Sequence, residues 1–142
     1  MQLEVFTDGG SRGNPGDAGI GGIVFGSNKL VLFEFSAYIG KTTNNVAEYT
    51  ALLHVLKWLH SFESSESAEP ISTITCYLDS KLVVEQMNRN WKIKDLKMKD
   101  LAQQCWSIVK TMRCQPTFVH VRREKNKVAD ALVNQALDAH QL

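Results

Sequence analysis

The chain has few of the residues that most catalytic sites are built on, and those present are not spaced to cooperate. Cys76, Cys105 and Cys114 are odd in number and form no CxxC pair. Reduced thiols are therefore expected, as in a cytoplasmic protein, and a cysteine-bound zinc is not. His54, His60, His120 and His140 contain no HExxH and no other paired spacing. No GK[ST] follows the glycines at 9–16, so they do not make a phosphate-binding P-loop. Gly19, Gly21 and Gly22 miss the dinucleotide fingerprint because its last glycine position is Val24. There is no GxSxG elbow. The D-[ST]-G signature of aspartic proteases fails at both Asp8, followed by Gly9-Gly10, and Asp79, followed by Ser80-Lys81. Aromatics make up 8% of the chain, too few near the loops to suggest sugar platforms. Neither a basic leader nor a long apolar run is present, so no export signal and no membrane span are expected.

What remains is a 142-residue chain, 44% hydrophobic and 22% charged, suited to a single domain over 1–142. Its net charge of +1 hides an uneven distribution. Residues 89–99 (RNWKIKDLKMK) carry five Lys or Arg, and 122–127 (RREKNK) carry four. Such clusters suit a phosphate backbone, or simply a solvated face. Apolar patterning predicts strands at 2–7, 18–25 and 30–39, with a Gly9–Gly16 loop after the first and a hairpin at 26–28. Val46, Tyr49, Leu52, Leu53, Leu56 and Leu59 predict a helix from Asn45. A polar connection at 62–70 leads to a strand at 71–78. Ser80 then caps a short helix through Asn88. A further helix is expected over about 100–112, a fifth strand at 117–121 and a last helix capped by Asn126. The order βββαβααβα describes a mixed sheet with helices packed on it.

Against this background four acidic residues stand out: Asp8 in FTDGG, Glu48 in NNVAEY, Asp79 in YLDSK and Asp130 in KVADAL. Each has a local explanation. Asp8–Gly9 is a turn pair, and Asn45 with Glu48 spells a capping box. Asp79–Ser80 suits an Asx turn, and Asp130 lies in a helix's first turn, where the dipole favours a carboxylate. Their placement suggests more. Two close strands and two open helices, the positions an open α/β sheet gathers at the carboxyl ends of its strands. If they converge, their mutual repulsion calls for a divalent cation. A site of carboxylates without His or Cys suits Mg²⁺ and metal-assisted phosphoryl transfer.

The runs TDGGSRGNPGDAG, TTNNVAEY, LDSKLVVEQMNRNWKIK and HVRREKNKVADALVNQALD, in this order and spacing, resemble the type 1 ribonuclease H family over essentially the whole chain. That resemblance implies a ribonuclease H-like α/β fold, a five-stranded mixed sheet of order 3-2-1-4-5 flanked by helices. It implies an enzyme that cuts the RNA strand of RNA–DNA hybrids endonucleolytically, leaving 5′-phosphate and 3′-hydroxyl ends. Two Mg²⁺ ions, with Mn²⁺ able to substitute, would be held by Asp8, Glu48, Asp79 and Asp130. Asp8 would bridge both ions, Asp130 would serve the one that activates water, and Glu48 and Asp79 the one facing the leaving oxygen. Gly9, Gly10, Asn14, Thr43, Asn44, Asn45, Ser80, Trp91, Lys92 and Arg123 are the implied substrate contacts, reading the hybrid's backbone and 2′-hydroxyls. A monomer is the default. Two alternatives stay open: a nuclease of the same fold acting on double-stranded RNA or DNA junctions, and a hybrid-binding module without catalysis.

Two departures from the family pattern point to its archaeal-like short form. The basic protrusion of some relatives is here only the stretch from Asn90 to Lys99. The glycine-containing loop with a mobile histidine is also missing, because Val121 runs through Arg122, Arg123 and Glu124 directly to Asn126. His120 is expected inside the strand as a packed or hydrogen-bonded residue. Arg123 is the candidate for an auxiliary phosphate contact.

Overall fold

A computed structural model describes residues 1–65 and 69–141; residues 66–68 of the polar connection lie outside the described residues. Strands β1 (Gln2–Arg12), β2 (Gly16–Phe25) and β3 (Val31–Thr42) form an antiparallel meander. Strands β4 (Thr73–Leu78) and β5 (Pro116–His120) add in parallel on the other side of β1, giving the order 3-2-1-4-5. Helices α1 (Asn44–Glu63), α2 (Lys81–Met87), α3 (Leu96–Thr111) and α4 (Lys127–His140) complete the fold. The sheet order agrees with what the resemblance implies, and the four α-helices among the described residues agree with the patterning.

Alternation along β1 sets the layers. Leu3, Val5 and Thr7 are buried on one face, where α1 lies, while Gln2 and Glu4 on the other are exposed. Helix α1 buries Tyr49, Leu52, Leu56 and Leu59 completely in the main core. Each such side chain contributes about 2 kcal/mol of transfer free energy. Helix α4 covers the opposite face of β2, where Ala129, Leu132, Val133 and Leu137 are buried. The Ser36 hydroxyl donates to the Leu132 carbonyl at 2.5 Å and ties α4 to β3.

Three local expectations are corrected. Gly9 and Gly10 are not in a loop: β1 continues through them to Arg12, paired with β2, and the turn is confined to residues 13–15. The reason is packing, since a Cβ on Gly9 would lie 2.3 Å from the Ala47 carbonyl group. Only a residue without a side chain lets α1 come this close to the strand. Helix α1 is capped by Thr43, whose hydroxyl accepts from the Val46 N–H at 3.3 Å, so Asn45 is a first-turn residue and the capping box does not form. Helix α3 starts at Leu96 rather than near residue 100, because Asp95 accepts from the Met98 N–H at 2.9 Å and supplies the cap. Ser80 does cap α2, accepting from the Val83 N–H.

Candidate active site

Strand β1 lies where the sheet order reverses, flanked by β2 on one side and β4 on the other. Pairing between β1 and β4 runs as far as Thr7 and Leu78. Asp8 and Asp79 are the next residues on each strand, so the end of the ladder sets them side by side. The Gly9 contact brings α1 against β1 and delivers Glu48 to the same point. Carboxylate oxygens of Asp8, Glu48 and Asp79 all lie within 4.8 Å of one another. Asp130, on the first turn of α4, lines the same cleft, a cavity of about 400 Å³. It stands apart from the tight trio: Arg123 lies 3.9 Å from one of its oxygens, and the Asn134 amide donates to the other at 3.5 Å.

The trio is electrostatically unfinished. Asp8 and Glu48 are 6% and 7% exposed, and carboxylates so placed are costly to ionise. Burial pushes Asp8 up to about 7, with repulsion from Asp79 and Asp130 in the same direction and a hydrogen bond from Glu48 opposing. Burial also raises Glu48 well above the carboxylate range, and the Asp8 charge adds to it. The Glu48 Oε2 atom is buried and has no hydrogen-bond partner among the described residues. A site of oxygen donors only, with a buried orphan oxygen and mutual repulsion, fits a hard divalent cation such as Mg²⁺ or Mn²⁺.

Of the expected substrate contacts, Gly9, Gly10, Asn44, Asn45, Ser80 and Arg123 line the cleft with the acids. Asn44 is partly committed, since its side-chain oxygen accepts from the Ser11 N–H at 2.8 Å and the Ser11 hydroxyl at 3.1 Å. What it can offer a ligand is its amide N–H₂ group. Asn14 adjoins the cleft, accepting from the Asn44 N–H at 3.0 Å, and Thr43 is the helix cap. Trp91 and Lys92 lie outside it, on a separate depression shared with Arg89, Ile93, Lys99 and Trp106. Trp91 is exposed, with the Lys81 ammonium 5.9 Å from its ring centre. His120 ends β5 as expected but is exposed rather than packed, at the last position of an edge strand.

Sequence reasoning missed three members of the site. Asn126, read as a helix cap, makes no capping bond. It is 1% exposed, and its amide donates to the Thr7 carbonyl at 2.9 Å and to Asp79 at 3.4 Å. It thus stitches α4 to the ends of β1 and β4, and a buried polar residue directly before a helix was the available signal. Arg12 lines the cleft while its guanidinium binds Asp138 of α4 at 2.7 Å and Gln141, just past that helix, at 2.8 Å. Asn134, one helical turn beyond Asp130, was legible only as an i,i+4 pair.

The sequence profile of the reverse transcriptase-like family matches residues 6–136. A bifunctional protein of Mycobacterium tuberculosis is 39% identical over 140 residues; the match covers 98% of this chain and 36% of that protein. The chain thus spans about a third of the mycobacterial protein's length. A ribonuclease H of Hydrogenovibrio crunogenus is 33% identical, with 97% of both chains covered. A crystal structure of LC11-RNase H1, isolated from compost, in complex with RNA/DNA hybrid superposes with a TM-score of 0.88 at 40% identity, covering 99% of each chain.

Proposed function

The chain belongs to the type 1 ribonuclease H family, and from that premise we propose that it hydrolyses the RNA strand of RNA–DNA hybrids endonucleolytically, with divalent cations held by its acidic cluster. The observation that carries the reading is the trio of carboxylates within 4.8 Å, two of them buried, at the floor of an open cleft.

Asp8, Glu48 and Asp79, with Asp130 completing the set, would hold two Mg²⁺ ions, and Mn²⁺ fits the same oxygen donors. Bound there, the cations would lower the pKa of an attacking water and neutralise the departing 3′ oxygen, so that 5′-phosphate and 3′-hydroxyl ends result. The rest falls to the chain's own residues. Asp8, which interacts with Glu48, Asp79 and Asp130 alike, would be a ligand to both ions. Asp130, more exposed and held by Arg123 and Asn134, lies on the solvent side, where water enters. Glu48 Oε2 is placed to accept from a ligand hydroxyl or to bind a cation. Gly10 presents bare backbone beside the acids, so a sugar–phosphate chain can approach without meeting a side chain, while Gly9 lines the cleft with its Cα packed against α1. The Asn44 and Asn45 amides and the Ser80 hydroxyl supply donors and acceptors to a 2′-hydroxyl, which distinguishes RNA from DNA. These contacts read backbone and sugar, so cleavage depends little on base sequence. Trp91 and Lys92 would take the DNA strand away from the cleft.

The test is a labelled-substrate panel of hybrid, double-stranded RNA and double-stranded DNA with Mg²⁺, Mn²⁺ or EDTA. Metal-dependent cleavage of the hybrid's RNA strand, abolished by EDTA and by Asp8→Asn, is the expected result. Equal or better cleavage of either pure duplex would overturn the substrate assignment.

A further inference from the structure

Eight residues, 88–95, separate α2 from α3 without regular helix, and the two binding candidates outside the cleft, Trp91 and Lys92, sit on this segment. Its path is fixed bond by bond. The Glu85 carbonyl accepts from the N–H groups of Asn90 at 2.9 Å and Trp91 at 3.3 Å. Arg89, with φ of 63°, lays its guanidinium over the Trp106 ring at 3.9 Å. The indole N–H of Trp106 donates to the Met87 carbonyl at 3.1 Å. A loop so held is a platform rather than a tether.

A further pair of bonds joins this loop to α1. Gln86, on the last turn of α2, is 3% exposed. Its side-chain oxygen accepts from the hydroxyl of Tyr49 at 2.7 Å, and its amide donates to the Lys92 carbonyl at 3.1 Å. Tyr49 is fully buried and follows Glu48 directly on α1. A buried amide is retained only if its polar atoms are satisfied, and both ends of this one are. An apolar residue there would leave the buried Tyr49 hydroxyl and the Lys92 carbonyl without this partner. The amide adds a directional link from the residue beside Glu48 to the backbone of Lys92.

We propose that Gln86 is a positioning residue for substrate binding, setting the Trp91–Lys92 platform at a fixed distance from the acidic cleft so that both engage one duplex. The inference rests on the hybrid-cleaving reading above. Gln86 touches neither substrate nor the reacting atoms, and its effect is carried entirely by the loop. Loosening the loop costs ordering entropy on binding and leaves the chemistry at the acids alone.

The experiment is a double-mutant cycle on hybrid cleavage with Mg²⁺, using the full chain, Gln86→Met, Trp91→Ala and the double variant. Gln86→Met keeps the side-chain volume and removes both hydrogen bonds. The expected result is a KM raised about five- to tenfold with kcat within twofold. Trp91→Ala should then add little in the Gln86→Met background, because a displaced platform has already lost its contact. A second variant, Tyr49→Phe, leaves the Lys92 bond in place and should raise KM less than Gln86→Met. Backbone hydrogen exchange should quicken at 88–95 in Gln86→Met with α1 still protected. An unchanged KM in folded Gln86→Met, or a full Trp91→Ala effect in its background, overturns the proposal. If Gln86→Met does not fold, a KM in Tyr49→Phe equal to that of the unmodified chain overturns it instead. Failure of the unmodified chain to cleave the hybrid would be a different outcome, sinking the functional reading and this inference together.

Discussion

The two sides of the acidic cleft are built on opposite principles. On the β1–α1 side, Asp8 and Glu48 are buried where backbone meets backbone, and Gly9 leaves no slack between strand and helix. On the α4 side, Asp130 is held by side chains alone, a 3.9 Å ion pair and a 3.5 Å hydrogen bond. The first side is rigid and charged in a way it cannot relieve by moving. The second can adjust. A site of this kind fixes its cations from one wall and leaves the other to accommodate the incoming water and phosphate.

Substitution of the acids gives the largest expected separation between the two sides. Asp8→Asn removes the central ligand and should lower hybrid cleavage on the order of a thousandfold. Asp130→Asn keeps a similar shape in a partly solvated position, and should lower it roughly tenfold. Single-turnover rates at saturating Mg²⁺ compare the two directly. Equal losses would mean that the walls do not differ as described.

Backbone contact is the next discriminator. A Cβ on Gly9 meets the Ala47 carbonyl at 2.3 Å, whereas on Gly10 the nearest atom is a Val133 methyl carbon at 3.8 Å. Gly9→Ala should therefore destabilise the fold by about 3 kcal/mol and separate Glu48 from Asp8, while Gly10→Ala should change stability by less than about 1 kcal/mol. Urea midpoints measure both. A tolerated Gly9→Ala would show that α1 is free to retreat.

Protonation distinguishes the rigid wall by its pH dependence. Asp8 ionises at about 7 in the folded chain against an ordinary 3.8, and Glu48 is raised in the same sense. The folded state thus binds more protons than the unfolded state between about pH 4 and 7. The stabilising contribution is fully present below about pH 4 and is lost as pH rises through about 7, a change on the order of 4 kcal/mol from Asp8. Melting temperatures in EDTA should fall across that window, and Asp8→Asn should flatten the fall. Added Mg²⁺ should restore stability at pH 8 and do little at pH 4, since only the ionised pair binds it.

The readability of these walls from sequence also differs. Asp79–Ser80 was legible because a strand end and a helix cap coincide there, and the structure keeps both roles in place. The sheet order came from resemblance, since strand periodicity does not say which strands become neighbours. Gly9 and Gly10 were misread because local turn propensity says nothing of a helix pressing on the strand from 38 residues away. Thr43 and Asn45 are both good caps, and only the register of the first turn chooses between them. Asn126 and Gln86 look like ordinary polar residues until burial shows that each amide spans two elements. Contacts distant in sequence carry no local signal, and they are what joins the walls.

The smallest expected effect belongs to the adjustable wall. Arg123 is 81% exposed at the side chain, and an exposed ion pair at 3.9 Å adds little to stability. Arg123→Ala should leave the melting temperature unchanged. Its position on the cleft beside Asp130 gives it another use, because a guanidinium can leave the carboxylate for an incoming phosphate oxygen when cations take its place. Loss of that contact should raise KM for the hybrid two- to fivefold and reduce the salt dependence of binding by about one counterion. Arg123→Lys keeps the charge but not the paired donors, and should recover the salt slope while recovering only part of the KM. A stability loss without a change in salt slope would instead make Arg123 a strut for Asp130, and the second wall would be as fixed as the first.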